Sequence, residues 1–306
     1  MSGFWLKVKK TLGHHWNETM VAMRAAKWDW QKKVAQSPVF ILGCSRAGTT
    51  LVYKTFSESK QLGSLQKETH DLWASLHPLE EQGWKGHELT ENDASIDDAR
   101  FISRYFYSHT GSLQFVDKNN QNGLCLPYLM ALFPKARFLY VKRSPGDNIN
   151  SLIEGWRKSD EFATWSENLP LDVNVENGQF KRWCFFIADS WKEYVNESIE
   201  NVCAFQYRIM NEAIINGREI VPKSQWAEIC YEDLLADPVK GFKDAFLALG
   251  LDFDRDLEQH CESVLTKPYN AFSEIRLDKW KDGRNAEKIA NVLESVEDIS
   301  NKMGYA

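Results

Sequence analysis

A run of four apolar residues, Val39-Phe40-Ile41-Leu42, leads into Gly43-Cys44-Ser45-Arg46-Ala47-Gly48 and then into Thr49-Thr50-Leu51. The β-branched and aromatic run reads as a buried strand, and the residues after Gly48 can be helical. A strand, a glycine-bounded turn and a helix N-terminus together form an anion site, because the N–H groups of the turn converge and the helix dipole adds partial positive charge. Gly43 and Gly48 have the spacing of the glycines in a G-x-x-x-x-G-K-[ST] phosphate loop, but Thr49 stands where that loop has Lys. That Lys neutralises β- and γ-phosphates, and its neighbour holds Mg²⁺. The turn is therefore badly equipped for a triphosphate. It suits a single phosphate, with the Thr49 and Thr50 hydroxyls as added donors and Arg46 as the nearby cation.

Residues 43–50 resemble the 5′-phosphosulfate loop, G-x-x-[RK]-[SA]-G-T-T, of sulfotransferases that use 3′-phosphoadenosine-5′-phosphosulfate (PAPS). The resemblance implies a donor site built from Cys44, Ser45, Arg46, Ala47, Gly48, Thr49 and Thr50. A second stretch supports it. Arg137 to Arg143 reads as a strand, and Ser144-Pro145-Gly146-Asp147 turns into a helix that reaches Ser151, with Pro145 suited to the first turn. This resembles the family's R-[DS]-P-x-D-x-x-x-S signature, so Arg143 and Ser151 match its 3′-phosphate ligands. A guanidinium forks onto phosphate oxygens, and a 3′-phosphate is what separates PAPS from ATP. Asp147 reads as a helix cap or a brace for the loop.

Three weaker matches follow. Leu113 to Asn120 reads as a strand ending in Asp117-Lys118-Asn119-Asn120, which resembles D-K-[TN]-P with Asn120 in place of proline. By that match Lys118 lies near the sulfonate and bridging oxygen, where a fixed ammonium favours the transition state as negative charge develops. Tyr231-Glu232-Asp233-Leu234, with Asp237-Pro238 beyond it, resembles the stretch in which the tyrosine borders adenine. In the tail, Arg276, Trp280 and Lys281 are candidates to cover the 3′-phosphate, with Ser273 as a further polar contact.

Glu68 is the expected general base, on a segment (Leu62 to Trp73) that sits where many relatives have a second strand ending in a carboxylate. An acceptor hydroxyl needs its proton removed as it attacks sulfur, and partial burial is expected to raise the carboxylate's pKa. His70 is the competing base. The resemblance implies an α/β, P-loop NTPase-like three-layer fold, with a central, mostly parallel sheet flanked by helices. Residues 1–35 read as an N-terminal helical extension capping that sheet, or as a homodimer contact or weak membrane-surface element, and residues 36–306 as a single sulfotransferase domain. Phe101, Tyr105 and Tyr107 mark an aromatic stripe, residues 159–180 an exposed loop, and Phe180 to Asn211 one long helix.

The chain of 306 residues carries a net charge of −6, so no global basic field attracts nucleic acid, and an anionic donor must be held locally. The six cysteines are scattered, without metal-ligand spacing, and read as reduced core residues. No metal is expected. The first residues lack the apolar run of a signal peptide, and no stretch of about 18 apolar residues occurs. The expected compartment is the cytoplasm and the expected partner a small-molecule acceptor. Two rival readings are a non-catalytic 3′,5′-bisphosphonucleotide-binding protein and a P-loop small-molecule kinase, the second disfavoured by Thr49.

Overall fold

The computed structural model describes residues 2–266 and 276–305, with side chains from residue 17 onward. Ser273 and the side chains of Trp5, Val8, Leu12, His15 and Trp16 lie outside the described residues. In chain order, the elements that matter for the site begin with α1 (Ser2–Gln31), β1 (Val39–Leu42), α2 (Thr49–Phe56), α3 (His70–Ala74) and α4 (Ile96–Thr110). β2 (Val116–Asp117), α5 (Leu126–Leu132), β3 (Arg137–Lys142) and α6 (Pro145–Trp156) follow. After the helix Ile199–Arg218 comes β4 (Trp226–Cys230), and the remaining helices close the chain.

The four strands form one parallel sheet in the order β2-β1-β3-β4. Both faces are covered, so β1 reads as an unbroken apolar run, with no residue above 1% exposed. Alternate residues serve opposite layers. Phe40, Leu42, Phe138 and Tyr140 pack with Ile102, Phe106 and Leu129 and with the helix Ile199–Arg218. Val39, Ile41, Leu139 and Val141 pack with Val52 and Phe56 of α2 and with Phe242 and Phe246. Phe56 and Phe246 stack with centroids 4.1 Å apart. The α/β, P-loop-like architecture expected from the sequence is therefore the one observed.

Several local expectations are corrected. Residues 62–73 form no second strand: a single parallel bridge, Gly63 with Phe115, extends the sheet edge. From there the chain turns through Gln66, at φ 59°, toward α3. α1 does not cap the sheet but lies on α4. Arg104 grips Asp29 through Nε and Nη2 at 2.7 and 3.0 Å, and the Ala35 N–H donates to Ser103 Oγ at 2.9 Å. The buried face of α4 is Ala99, Ile102, Ser103 and Phe106, one residue out of register with the stripe read from sequence. Residues 159–180 carry two short helical turns within the loop. The long helix begins only at Ile199, where the Ser198 side chain caps it by accepting from the Asn201 N–H. The preceding residues 183–188 and Trp191 are buried but irregular, with Phe185 and Ser190 at φ 70° and 69°. Their near-helical spacing reflects a crowded core rather than a helix.

Candidate active site

The C-terminal ends of β1, β2 and β3 open onto one cavity of about 930 Å³. Such a position is dictated by the fold, because helices cover the sheet faces and leave the strand ends as the crevice. The turn after β1 returns through the Ala47 N–H to the Cys44 carbonyl at 3.0 Å and enters α2 with Gly48 at φ 102°. A Cβ on Gly48 would meet Tyr231 Cδ2 at 2.4 Å, so the glycine serves both the turn and the ring packed over it. Ser45, Arg46, Gly48, Thr49 and Thr50 line the cavity. Cys44 and Ala47 do not. Their side chains are 0% and 1% exposed in the core, where burial pushes the Cys44 thiol up, and only their backbone groups are left for a ligand.

Arg143, directly after β3, is the keystone of the positive end. Its Nη1 donates to the Arg46 carbonyl at 2.7 Å and its guanidinium lies 4.6 Å from the centre of the Tyr231 ring. Ser151, two turns along α6, is buried and lines the same cavity. Arg46, Lys118, Arg143, Arg276, Lys279 and Arg284 all line it. Arg46, Arg143 and Lys279 act on one another, whereas Lys118, Arg276 and Arg284 pair with Glu68, Asp282 and Glu154. Burial, then Arg143, brings the Arg46 guanidinium down to about 10. Lys279 is lowered by burial, then by Arg143. Like charges held together in a partly dry pocket favour an anion between them. Two buried polar atoms there, Ser45 Oγ and Arg143 Nε, have no hydrogen-bond partner among the described residues.

Glu68 reaches the cavity from the loop before α3, not from a strand. Its Oε1 accepts from Lys118 Nζ at 2.5 Å and from the Thr50 hydroxyl at 3.4 Å, and its Oε2 lies 2.6 Å from His70 Nε2. Burial opposes its ionisation most, but Lys118 and His70 together outweigh burial and hold the carboxyl well below its usual range. Burial raises it as expected, but the net shift is downward. Lys118 is itself 4% exposed and also donates to Asn120 Oδ1 at 3.2 Å.

Asp117, beside Lys118, had no assigned role in the sequence reading. It is fully buried and accepts from the Thr69 hydroxyl at 2.5 Å, Trp73 Nε1 at 2.9 Å and Asn122 Nδ2 at 3.0 Å. It thus ties the Glu68–His70 segment to the strand that carries Lys118. A carboxylate at the end of an apolar run was the available signal. The tail is also re-sorted. Arg276 lines the cavity, but Trp280 packs over Gly146, and Lys281 pairs with Asp278 at 3.1 Å in solvent. Lys279 lines the cavity in their place, as does Arg284 from an exposed position where it pairs with Glu154, and no motif distinguished them. Asp147 caps nothing; its Oδ2 accepts from the Asp278 N–H at 2.8 Å and so anchors the tail to α6.

Among solved structures, the chain is similar to the sulfotransferase domain of the curacin biosynthetic pathway, with 14% identity and a TM-score of 0.52 over 90% of this chain and 99% of that one. It is also similar to the sulfotransferase domain of the Synechococcus PCC 7002 olefin synthase, with 18% identity and a TM-score of 0.50 over 86% and 96%. Sulfotransferase STF1 of Mycobacterium tuberculosis H37Rv is matched with 14% identity and a TM-score of 0.50 over 89% and 81%. No curated protein sequence matches the chain. No described helix is long and apolar enough to cross a membrane. At these identities the structures speak for the fold alone. The family profile described as "Sulfotransferase family" matches residues 38–255, most of the chain and all four strands with the loops that follow them, and the protein belongs to the sulfotransferase family.

Proposed function

We propose that this protein moves the sulfonate group of PAPS to a hydroxyl or amine of a small-molecule acceptor and releases 3′,5′-bisphosphoadenosine (PAP). The observation that carries the reading is the set of mutually repelling cations around Ser45 Oγ and Arg143 Nε, two buried donors without partners at the strand ends. A nucleotide with separate 5′ and 3′ anionic groups fits that donor set. The N–H groups of residues 44–50 and the Thr49 hydroxyl would hold the 5′-phosphosulfate. Arg143 and Ser151 would hold the 3′-phosphate, with Arg276 beside them and Tyr231 at the base.

The acceptor oxygen attacks sulfur while the bond from sulfur to the 5′-phosphate oxygen breaks, and the acceptor proton passes to Glu68. Lys118 and Arg46 offset the charge that grows on the departing oxygen. In the free protein Lys118 holds Glu68 ionised and so weakly basic. A sulfonate drawing Lys118 toward itself raises Glu68's basicity only when the donor is in place. His70 orients the carboxylate through Oε2 and remains the alternative base. The six cysteines are unpaired and five are buried, which fits a reducing compartment such as the cytoplasm.

The test is a binding cycle of wild type and Arg143→Ala against PAP and 5′-AMP. Two charge-assisted bonds, each worth about 1.5 kcal/mol, give wild type a roughly 100-fold preference for PAP. That preference collapses in the variant. Equal binding of PAP and 5′-AMP by wild type, or tighter binding of ATP, refutes the assignment.

A further inference from the structure

β3 and β4 run side by side, and their last residues, Lys142 and Cys230, are paired in register. The residues that follow the two strands meet again beyond the sheet. Glu232, in the first turn of the helix Tyr231–Ala236, reaches across so that its Oε1 accepts the Ser144 N–H at 2.9 Å. Its Oε2 accepts the Tyr305 hydroxyl at 2.7 Å. Burial, then Glu232, pushes the Tyr305 phenol up, so it stays a donor at neutral pH. The Arg143 carbonyl is held from the other side, where the Tyr207 hydroxyl donates to it at 3.1 Å. The single peptide unit that joins Arg143 to Ser144 is therefore pinned at both of its polar groups.

Both pins are backed by one segment. The helix Glu297–Met303 ends at Gly304, whose φ of 91° turns the chain back on itself. The Tyr305 N–H then donates to the Ser300 carbonyl at 3.0 Å, and the Tyr305 carbonyl accepts from the Ser300 hydroxyl at 2.9 Å. These two bonds fix the backbone from which the Tyr305 ring extends. Met303 is buried; its Sδ lies 3.4 Å from the Tyr207 oxygen, and its carbonyl accepts from Lys142 Nζ at 3.1 Å. The segment lies outside residues 38–255, which the family profile matches.

Resting on the sulfotransferase reading above, we propose that Glu232 and Tyr305 are positioning residues for the donor nucleotide: by holding the Arg143–Ser144 peptide they aim the Arg143 guanidinium at the 3′-phosphate. Neither side chain lines the main cavity, so both act through Arg143. A long side chain delivers its charged end accurately only from a fixed backbone, because a small rotation of the peptide is carried outward to the tip. The far end of Arg143 is already held, by the Arg46 carbonyl and the Tyr231 ring. Tyr231 is the neighbour of Glu232 in the chain, so one turn of helix steadies both the root and the face of the guanidinium.

The experiment measures dissociation constants for PAP and 5′-AMP by calorimetry on the full chain. The proteins are wild type, Tyr305→Phe, Glu232→Ala, Glu232→Gln and the double variant Tyr305→Phe, Glu232→Ala. The ratio of the two constants is the readout, because a smaller folded fraction weakens both ligands by the same factor. An indirect effect about the size of one hydrogen bond cuts the preference for PAP about fivefold in Tyr305→Phe and about tenfold in Glu232→Ala. Glu232→Gln keeps the preference, since its amide oxygen can accept the Ser144 N–H while its amide nitrogen donates to the Tyr305 oxygen. The double variant is no worse than Glu232→Ala, because Tyr305 acts through Glu232. An unchanged ratio in Tyr305→Phe and Glu232→Ala, losses that add in the double variant, or a Glu232→Gln protein that behaves like Glu232→Ala each overturn the proposal. A wild type that binds PAP and 5′-AMP equally refutes the donor reading and this role with it, whereas a wild-type preference that survives in the variants refutes the role alone.

Discussion

Gly48 offers a sharp test of how the loop after β1 is built. A Gly48→Ala change places a Cβ at φ 102°, where L residues pay a conformational cost of roughly 1–3 kcal/mol. The same Cβ would stand 2.4 Å from Tyr231 Cδ2 and 2.7 Å from Cε2, so the ring must move, at a further cost of roughly 1–3 kcal/mol. The expected loss is therefore about 3 kcal/mol. Gly250 separates the two contributions. It also has positive φ, at 63°, but a Cβ there meets nothing within 4 Å, so Gly250→Ala should cost only about 1 kcal/mol. Urea unfolding at constant m-value measures both. Adding Tyr231→Ala to Gly48→Ala should recover the steric part alone. The displaced ring also leaves Arg143, so PAP affinity falls in Gly48→Ala but not in Gly250→Ala. If the two alanine variants agree within about 0.5 kcal/mol, a typical surface effect, the contact between Gly48 and Tyr231 is not what the loop requires.

Two predictions concern pH. Glu68 ionises more readily folded than unfolded, so its contribution to stability is complete above about pH 4.3 and is lost as pH falls through the lower folded value. Lys118→Met removes the main pull against burial and leaves His70 alone to oppose it, so the folded carboxyl titrates higher and the loss of stability on acidification is smaller than in wild type; urea midpoints between pH 3 and 7 that superimpose on wild type, apart from a constant offset, would refute this. His87 is held neutral at about 4 against an unfolded value of about 6.5, so stability is full above pH 6.5 and declines as pH falls toward 4. The difference between wild type and His87→Gln should show that slope, approaching one proton taken up on unfolding near pH 5, and a flat difference would count against a buried neutral ring.

The strands β1 and β3 and the loops after them were legible because burial on both faces leaves an unbroken apolar run, and because an anion site needs glycine and a cation in a fixed local order. Arg143, Ser151 and the 43–50 turn are placed by short-range chain geometry, which is why their sequence spacing was informative. Glu68 shows where that logic stops. Its segment was expected to be a strand but makes one bridge, and its acidity is set by Lys118, fifty positions away along the chain. Spacing alone likewise misplaced the aromatic residues before Ile199, since a crowded core buries rings from irregular chain as readily as from a helix. In the tail, basic residues alternate with Trp280 without a periodic element to tell inward from outward. Only packing against Gly146 decided that Trp280 is a wedge while Lys279 faces the cavity.

The sequence by itself determined the parallel α/β core, the glycine-bounded turn after β1 and Arg46 and Arg143 beside it, because each depends on hydrophobic period or on neighbours within a turn. The tertiary structure alone decided how the charges are shared. Asp117 clamps the Glu68 segment to β2, Lys118 holds Glu68 ionised, and Arg143 meets Arg46 and Lys279 at the strand ends. These are interactions between segments distant in the chain, and Coulomb energy and desolvation depend on the separation and burial that folding creates.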